Sequence, residues 1–244
     1  MGRFEPGDPA AVRDLFDGIA PRYDQLNDLL SLGLHRLWKR RAILWLRPQP
    51  GQRLLDLCCG TGDLALVLAE KVRPGGHVIG LDAAAEPLRL ALRRSSRRPW
   101  LPLGWQQGDA LASGLGTGGA DGAVMAYGLR NLADPGAALG ELRRVLRSGG
   151  RAAVLDFNRP DPARSGGALG ASLQQGFQRA YLRGLVVPTA RAFGLSQHYA
   201  YLEESLQRFP TGLEQERLAR RAGFAAARHR LLAGGQMGLL ELLA

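Results

Sequence analysis

The sequence predicts an α/β fold, a mostly parallel sheet with helices on both faces. Three observations predict it. From residue 51 onward, short apolar runs suited to buried strands alternate with segments of helical period. The first strand passes into its helix through a glycine-rich turn, Cys58-Cys59-Gly60-Thr61-Gly62. Aspartates fall at four predicted strand ends, Asp56, Asp82, Asp109 and Asp156, on the edge where open α/β sheets bind ligands.

Taken in order, residues 11–50 carry Val12, Leu15, Phe16 and Ile19, then Leu26, Leu29 and Leu30, then Leu37, Trp38, Ile43 and Leu44. That spacing predicts two or three short helices broken near Pro21 and Gly33. Strands are expected near 53–58, 77–82, 103–108, 121–127 and 151–157. Helices are expected near 62–72, 86–95 and 135–147, the last closed by Ser148-Gly149-Gly150. Residues 160–210 form an insertion in which Leu169, Leu173, Phe177, Tyr181, Leu185 and Phe193 keep a loose helical period. These side chains either pack a core or line a cap for an apolar substrate. After residue 224, two further strands joined by a glycine-rich turn predict an antiparallel hairpin. The expected organisation is one domain, 1–244: a helical lid at 11–50, a ligand-binding core at 51–159, a helical cap at 160–210, and a final helix and hairpin at 211–244.

The turn after the first strand indicates the ligand. Gly60 and Gly62 let backbone N–H groups approach a ligand closely, and Asp82, twenty residues beyond Gly62, can grip a ribose. Gly60, Gly62 and Ala65 also satisfy a loose dinucleotide fingerprint, and a plain helix-capping turn remains an alternative. Charge separates these readings. A dinucleotide sets two phosphates at the helix N-terminus, where Asp56 and Asp63 would repel them. S-adenosylmethionine carries an ammonium and a sulfonium and no phosphate, so acids are favourable neighbours. Seven strands ending in a hairpin resemble the class I S-adenosylmethionine-dependent methyltransferase fold, which a simple dinucleotide-binding fold does not predict.

Composition narrows the setting. The 244 residues carry a net charge of +10, and all but two of the 32 basic residues are arginines. They are scattered, with small clusters at 39–41 and 93–98, rather than laid out as a basic stripe interleaved with aromatics, so no nucleic-acid partner is expected. The cluster at 93–98 reads as a solvated helix end. No apolar run reaches membrane-spanning length and MGRFEPGDPA lacks a signal-peptide core, so a cytoplasmic protein is expected. The adjacent Cys58 and Cys59 read as small buried residues in a reducing compartment.

The segments YDQLNDLLSLGLHRLWK (23–39), DLCCGTGDLA, YGLRNLADP (127–135), RVLRSGGRAAVLDF and YLEESLQRFPTG resemble the ubiquinone/menaquinone C-methyltransferase family from about residue 11 to the C-terminus. Within it, LCCGTGD, LDFNRP and the closing LAGGQMGLLEL look like the cyanobacterial branch. That branch implies methylation of a prenylated naphthoquinol, demethylphylloquinol, with other menaquinone or ubiquinone precursors as the alternative. An alternative of another class is a catalytically silent adenosine-binding module that docks a membrane partner. The resemblance also implies that Thr61 and Asp82 contact the cofactor, that Asp109 and Ala110 meet the adenine edge, and that Gly60 and Gly62 admit the methionine part, beside Asp56. Three departures stand out. Cys58 replaces the usual first glycine, Arg147-Ser148 replaces Lys-Pro, and GLGTGGAD replaces a loop that ordinarily carries an aromatic. The first two are expected to be harmless, whereas the third leaves the adenine-side wall undefined.

Carbon methylation needs a nucleophilic ring carbon and a stabilised phenolate, and the few scattered histidines offer no metal spacing. Arg130 and Asn131, just beyond the fourth strand, are the first candidates for that stabilisation. Tyr23, Asp24 and His35 could complete the catalytic group from the lid, His35 either as a base or as a residue pinning the lid. A lipid-soluble substrate further implies transient attachment to a thylakoid or plasma membrane surface through the basic face and the apolar cap, and a homodimer is possible.

Overall fold

Strands β1 (Arg53–Leu57), β2 (His77–Asp82), β3 (Leu103–Gln107), β4 (Ala120–Ala126), β5 (Leu146–Phe157), β6 (Ala226–Leu232) and β7 (Met237–Leu243) form one sheet in the order β3-β2-β1-β4-β5-β7-β6. The first five run parallel, and β7 inserts antiparallel between β5 and β6. The structure is a computed structural model that describes residues 10–18, 31, 33–164, 167–181, 184 and 196–244. Its helices are α1 (10–18), α2 (His35–Leu46), α3 (Asp63–Lys71), α4 (Ala85–Ser95), α5 (Pro135–Val145), α6 (Ala168–Tyr181), α7 (Ser196–Arg208) and α8 (Gly212–Arg221).

Side-chain alternation along the central strands explains why both faces are covered. Ala123 and Met125 of β4 join one apolar cluster and Val124 the other; Leu240 and Leu242 of β7 go to the first, Leu239 to the second. Leu139 and Leu142 of α5 and Ala219 of α8 complete the first cluster, whereas Ala42, Ile43 and Leu46 of α2 and Leu68 of α3 complete the second. Strands buried on both sides in this way read as near-continuous apolar runs. Trp45 of α2 adds a hydrogen bond from Nε1 to the Ala152 carbonyl (3.0 Å), and Arg151 stacks 5.0 Å over its ring.

One boundary differs from the sequence reading. The helix expected to run to 147 ends at Val145, and Ser148-Gly149-Gly150 lies within β5 rather than closing the helix. Ala120 pairs with Leu146 but Gly122 pairs with Arg151, so β5 carries a bulge there. Gly149, at φ 72°, turns the bulge, and its N–H donates to the carbonyl of Ala244 (2.8 Å). A Ser-Gly-Gly run after a helix reads as a cap; the hydrogen-bonding partners that make it strand come from the far end of the chain.

Candidate active site

The turn after β1 is held by two carboxylates, the buried Asp56 and the half-buried Asp82. Asp82, ending β2, accepts from the Gly60 N–H through Oδ2 (2.7 Å) and from the Ala84 N–H through Oδ1 (2.9 Å). It thereby fastens the glycine turn to the neighbouring strand end, and burial raises its carboxyl above the usual range. Asp56 lies beneath the turn, where its Oδ2 accepts from the Ala65 N–H at the start of α3 (2.9 Å), and burial pushes its carboxyl up to about 7. The two glycines serve different ends. A Cβ on Gly62 would overlap the ring of Trp105, so that glycine permits close packing. A Cβ on Gly60 would meet nothing within 4 Å, so that glycine faces open space.

That space is a pocket lined by Gly60, Asp82, Asp109, Ala110 and Asn131 together with Cys58, Leu81, Pro87 and Leu132. Val12, Arg13 and Phe16 of α1 close one side of it. Asp17 of the same helix accepts from the Glu86 N–H (2.8 Å), docking α1 on the start of α4. Asp109 also accepts from the Leu111 N–H (2.9 Å), so it both turns the chain and faces the pocket. Asp56, Thr61 and Gly62 do not line it. Arg94 takes both the carbonyl and the hydroxyl of Thr61 (3.0 Å each) and pairs with Asp63 (2.6 Å), which also holds Lys39 of α2 (3.1 Å). Arg94 is therefore not the solvated helix end expected of the 93–98 cluster; it braces the cofactor turn from behind.

At the end of β4 the backbone again leaves its ordinary range. Tyr127 sits at φ 61°, and Cys58, at the end of the neighbouring strand β1, at φ 55°. Left-handed backbone at a residue with a Cβ costs about 1–2 kcal/mol, and such strain gathers at functional sites. Cys58 at the first glycine position is therefore not cost-free, contrary to the sequence expectation. Its thiol is pushed up by burial and stays protonated.

Beyond Tyr127, a 3-10 turn (Leu129–Asn131) presents the two residues expected to act on substrate. Asn131 reaches the pocket wall; its Nδ2 donates to the Tyr127 carbonyl (2.9 Å), and its Oδ1 accepts from the Tyr201 hydroxyl (3.0 Å). Arg130 lies behind that wall. Its Nη1 pairs with Asp156 (2.7 Å) and also donates to the Tyr127 carbonyl (2.8 Å), and the guanidinium rests 5.3 Å over the Phe157 ring. Tyr201 of α7 was not singled out from sequence; its one signal was its place within YLEESLQRFPTG. Burial pushes its hydroxyl up to about 12, so it remains a donor. His35 is buried off the pocket, its Nδ1 within 2.8 Å of the Ser31 hydroxyl. Tyr23 and Asp24 lie outside the described residues.

The loop at 113–119, which lacks its expected aromatic, is pinned by charge. Glu141 accepts from the Ser113 N–H (2.8 Å) and hydroxyl, and Arg144 bridges Glu141 to Thr117 Oγ1 and the Leu115 carbonyl.

S-adenosylmethionine fits this pocket. Each Asp82 oxygen has spent one acceptor site on backbone, leaving others for ribose hydroxyls. Among the described residues, two acids and a single arginine line the cavity, a balance suited to a cationic ligand without phosphates. The sheet order, the acid-closed glycine turn and the pocket beyond the strand ends define an S-adenosylmethionine-dependent methyltransferase of class I. Solved structures agree on the fold: an S-adenosylmethionine-dependent methyltransferase from Aquifex aeolicus aligns over 97% of this chain and 98% of its own with TM-score 0.58 and 15% identity. Phosphoethanolamine N-methyltransferase 2 from Haemonchus contortus, in complex with S-adenosyl-L-methionine, aligns over 95% and 59% with TM-score 0.68 and 14% identity. Residues 6–240 match the ubiE/COQ5 methyltransferase family, and the chain belongs to that family. A Synechocystis relative, 2-phytyl-1,4-naphtoquinone methyltransferase, is 48% identical over 94% of this chain and 93% of its own. The chloroplastic 2-phytyl-1,4-beta-naphthoquinone methyltransferase of Arabidopsis thaliana is 42% identical over 93% and 85%.

Proposed function

We propose that this methyltransferase acts on the ring carbon of a prenylated naphthoquinol, demethylphylloquinol, in the methylation that yields phylloquinol. The observation that carries the substrate is the 48% identity to a 2-phytyl-1,4-naphtoquinone methyltransferase, sustained over nearly the full length of both chains. When bound, S-adenosylmethionine supplies an electrophilic methyl group on a sulfonium. Asp82 holds the ribose, Asp109 and Ala110 flank the adenine, and Gly60 leaves room for the methionine part. Asp56, Thr61 and Gly62 act from behind, by keeping the turn in shape.

The acceptor ring is a nucleophile only as the quinol. An ionised hydroxyl pushes electron density onto the neighbouring C–H carbon, whereas the quinone is electron-poor. The protein's task is to hold that ring within reach, about 3–3.5 Å for reacting atoms, to exclude water and to stabilise the phenolate. Asn131 is suited to the last task. One Nδ2 hydrogen is spent on the Tyr127 carbonyl, Tyr201 fixes the orientation of the amide, and the second hydrogen is available to the pocket. Arg130, largely neutralised by Asp156, acts mainly by holding the turn that carries Asn131.

The substrate's chain resides in a bilayer, and no helix among the described residues is long and apolar enough to cross a membrane. Peripheral attachment meets that need: Leu169 and Leu173 of α6 are 75% and 68% exposed, on a chain of charge +10. The test is turnover under strict redox control. Demethylphylloquinol should be methylated and the oxidised quinone almost not at all; equal rates for the two forms would sink the mechanism. Accumulation of the demethyl-quinone in cells lacking the protein would identify the substrate directly.

A further inference from the structure

Beyond the end of β5, away from the methyl-transfer pocket, a second open cavity of about 400 Å³ is walled by Arg159, Arg208, Arg217 and Arg221. Pro210, Leu218 and Glu214 complete its lining. Glu214, the one acid, is committed elsewhere: its Oε2 accepts from the Thr211 N–H (2.6 Å) in the box that caps α8. Arg159 spends one nitrogen on the Phe209 carbonyl (3.0 Å), which ties the exit of β5 to the end of α7 and shapes the cavity.

The other three guanidinium groups have no ion-pair partner among the described residues. Some surface arginines of this chain meet acids, as Arg89 meets Glu86, Arg147 meets Asp121 and Arg220, beside Arg221 on α8, meets Glu216. Others, Arg97 and Arg98 among them, have no ion pair among the described residues; what sets this face apart is that three such arginines gather at one cavity. Arg208 and Arg221 occupy last turns of their helices, where a cation offsets the dipole. Arg217 lies mid-helix and Arg159 outside any helix, so dipole compensation does not account for the set. Four arginines line one cavity against a single glutamate that is held in a helix cap, a set of donors and charge suited to recognising a phosphate.

We propose that this cavity binds a phosphate group, carried either by a membrane-lipid headgroup or by a small soluble polyanion. The site lies at the carboxyl edge of the sheet, as the active site does. Arg159 follows Asp156 by three residues, and Arg208 follows Tyr201 by seven on α7. The inference rests on this cavity alone and stands whatever quinol the enzyme uses.

The test uses the full chain with two probes, inorganic pyrophosphate and vesicles of phosphatidylglycerol, with phosphatidylcholine vesicles as reference. Arg217→Gln with Arg221→Gln is compared with Arg97→Gln and Arg98→Gln, an exposed pair that loses the same charge elsewhere. The parent is expected to bind at least one anionic probe, the cavity variant at least tenfold more weakly, and the control within threefold of the parent. Vesicle binding displaced by pyrophosphate identifies a headgroup site, and pyrophosphate binding without vesicle binding identifies a soluble ligand. Absence of binding to either anionic probe, or equal weakening by the two double variants, would overturn the proposal. If the cavity double variant melts early, Arg217→Gln alone, at an exposed mid-helix position, carries the same comparison.

Discussion

Asp82 joins a structural role to the proposed binding role in one side chain. It anchors the Gly60 turn through backbone hydrogen bonds while facing the pocket. Asp82→Ala should weaken S-adenosylmethionine binding by about 1.5–3 kcal/mol, the range for hydrogen bonds to charged groups; unchanged affinity by calorimetry in a folded variant would remove it from the site. Arg130 makes a sharper case. Its ion pair with Asp156 is nearly inaccessible, with side-chain exposures of 9% and 3%. Arg130→Ala therefore leaves a buried carboxylate unpaired, a loss of about 3–5 kcal/mol, and lets the Asn131 turn drift, cutting kcat by roughly a hundredfold. Adding Asp156→Asn should restore much of the melting temperature but little of kcat, and Arg130→Lys should recover only part of the rate because the planar fork is lost. Normal stability and near-normal kcat in Arg130→Ala would refute both roles. The sequence placed Arg130 and Asn131 correctly just past β4, because strand-end position is a local property. It did not separate the residue facing the pocket from the one behind it. That distinction depends on Asp156, 26 residues away, and on Tyr201, 70 residues away. Gly60 and Gly62 looked equivalent for the same reason, since only the position of Trp105 tells them apart.

At the scale of elements, the helices and strands of the core were legible because each carries its own period, and their boundaries agree to within a few residues apart from the bulged start of β5. The less legible parts are those whose partners come from distant chain. Loop 113–119 is the clearest case: its missing aromatic pointed to an undefined wall, whereas α5 supplies Glu141 and Arg144 to hold it. Arg144 beside Glu141 draws that carboxyl down from 4.5 to about 2. The sign follows from linkage. A folded-state value below the unfolded one contributes stability that is complete above about 4.5 and lost as pH falls through about 2. Glu141→Gln should therefore lower the melting temperature at neutral pH, with the gap to the parent narrowing as pH is taken from about 4.5 towards 2. Thermal melts across that range check it, and a gap constant with pH would dissociate the clamp from the charge of Glu141.

For the whole molecule, the proposed acceptor sets the central physical problem: a ring whose tail is held in a bilayer must be reached by a chain with no membrane-spanning helix among its described residues. Two features bear on it, the charge of +10 and the exposed leucines Leu169 and Leu173 on α6. They respond differently to salt. Attraction of arginines to anionic headgroups is screened over about 8–10 Å at physiological ionic strength, whereas burial of leucine side chains, about 1.5–3 kcal/mol each when complete, is not. Binding to phosphatidylglycerol vesicles should accordingly fall steeply as salt is raised but level off above zero. Leu169→Gln with Leu173→Gln should remove the residual binding at high salt and leave the salt-sensitive part largely intact. Activity on quinol presented in vesicles should follow the same two-part curve, while activity on a short-chain soluble quinol should not change with either substitution. The short-chain substrate separates delivery from chemistry: a double variant equally impaired on both substrates would place the leucines in the fold or the site rather than at the membrane. Vesicle binding unchanged by the leucine substitutions at every salt concentration would leave attachment to charge alone.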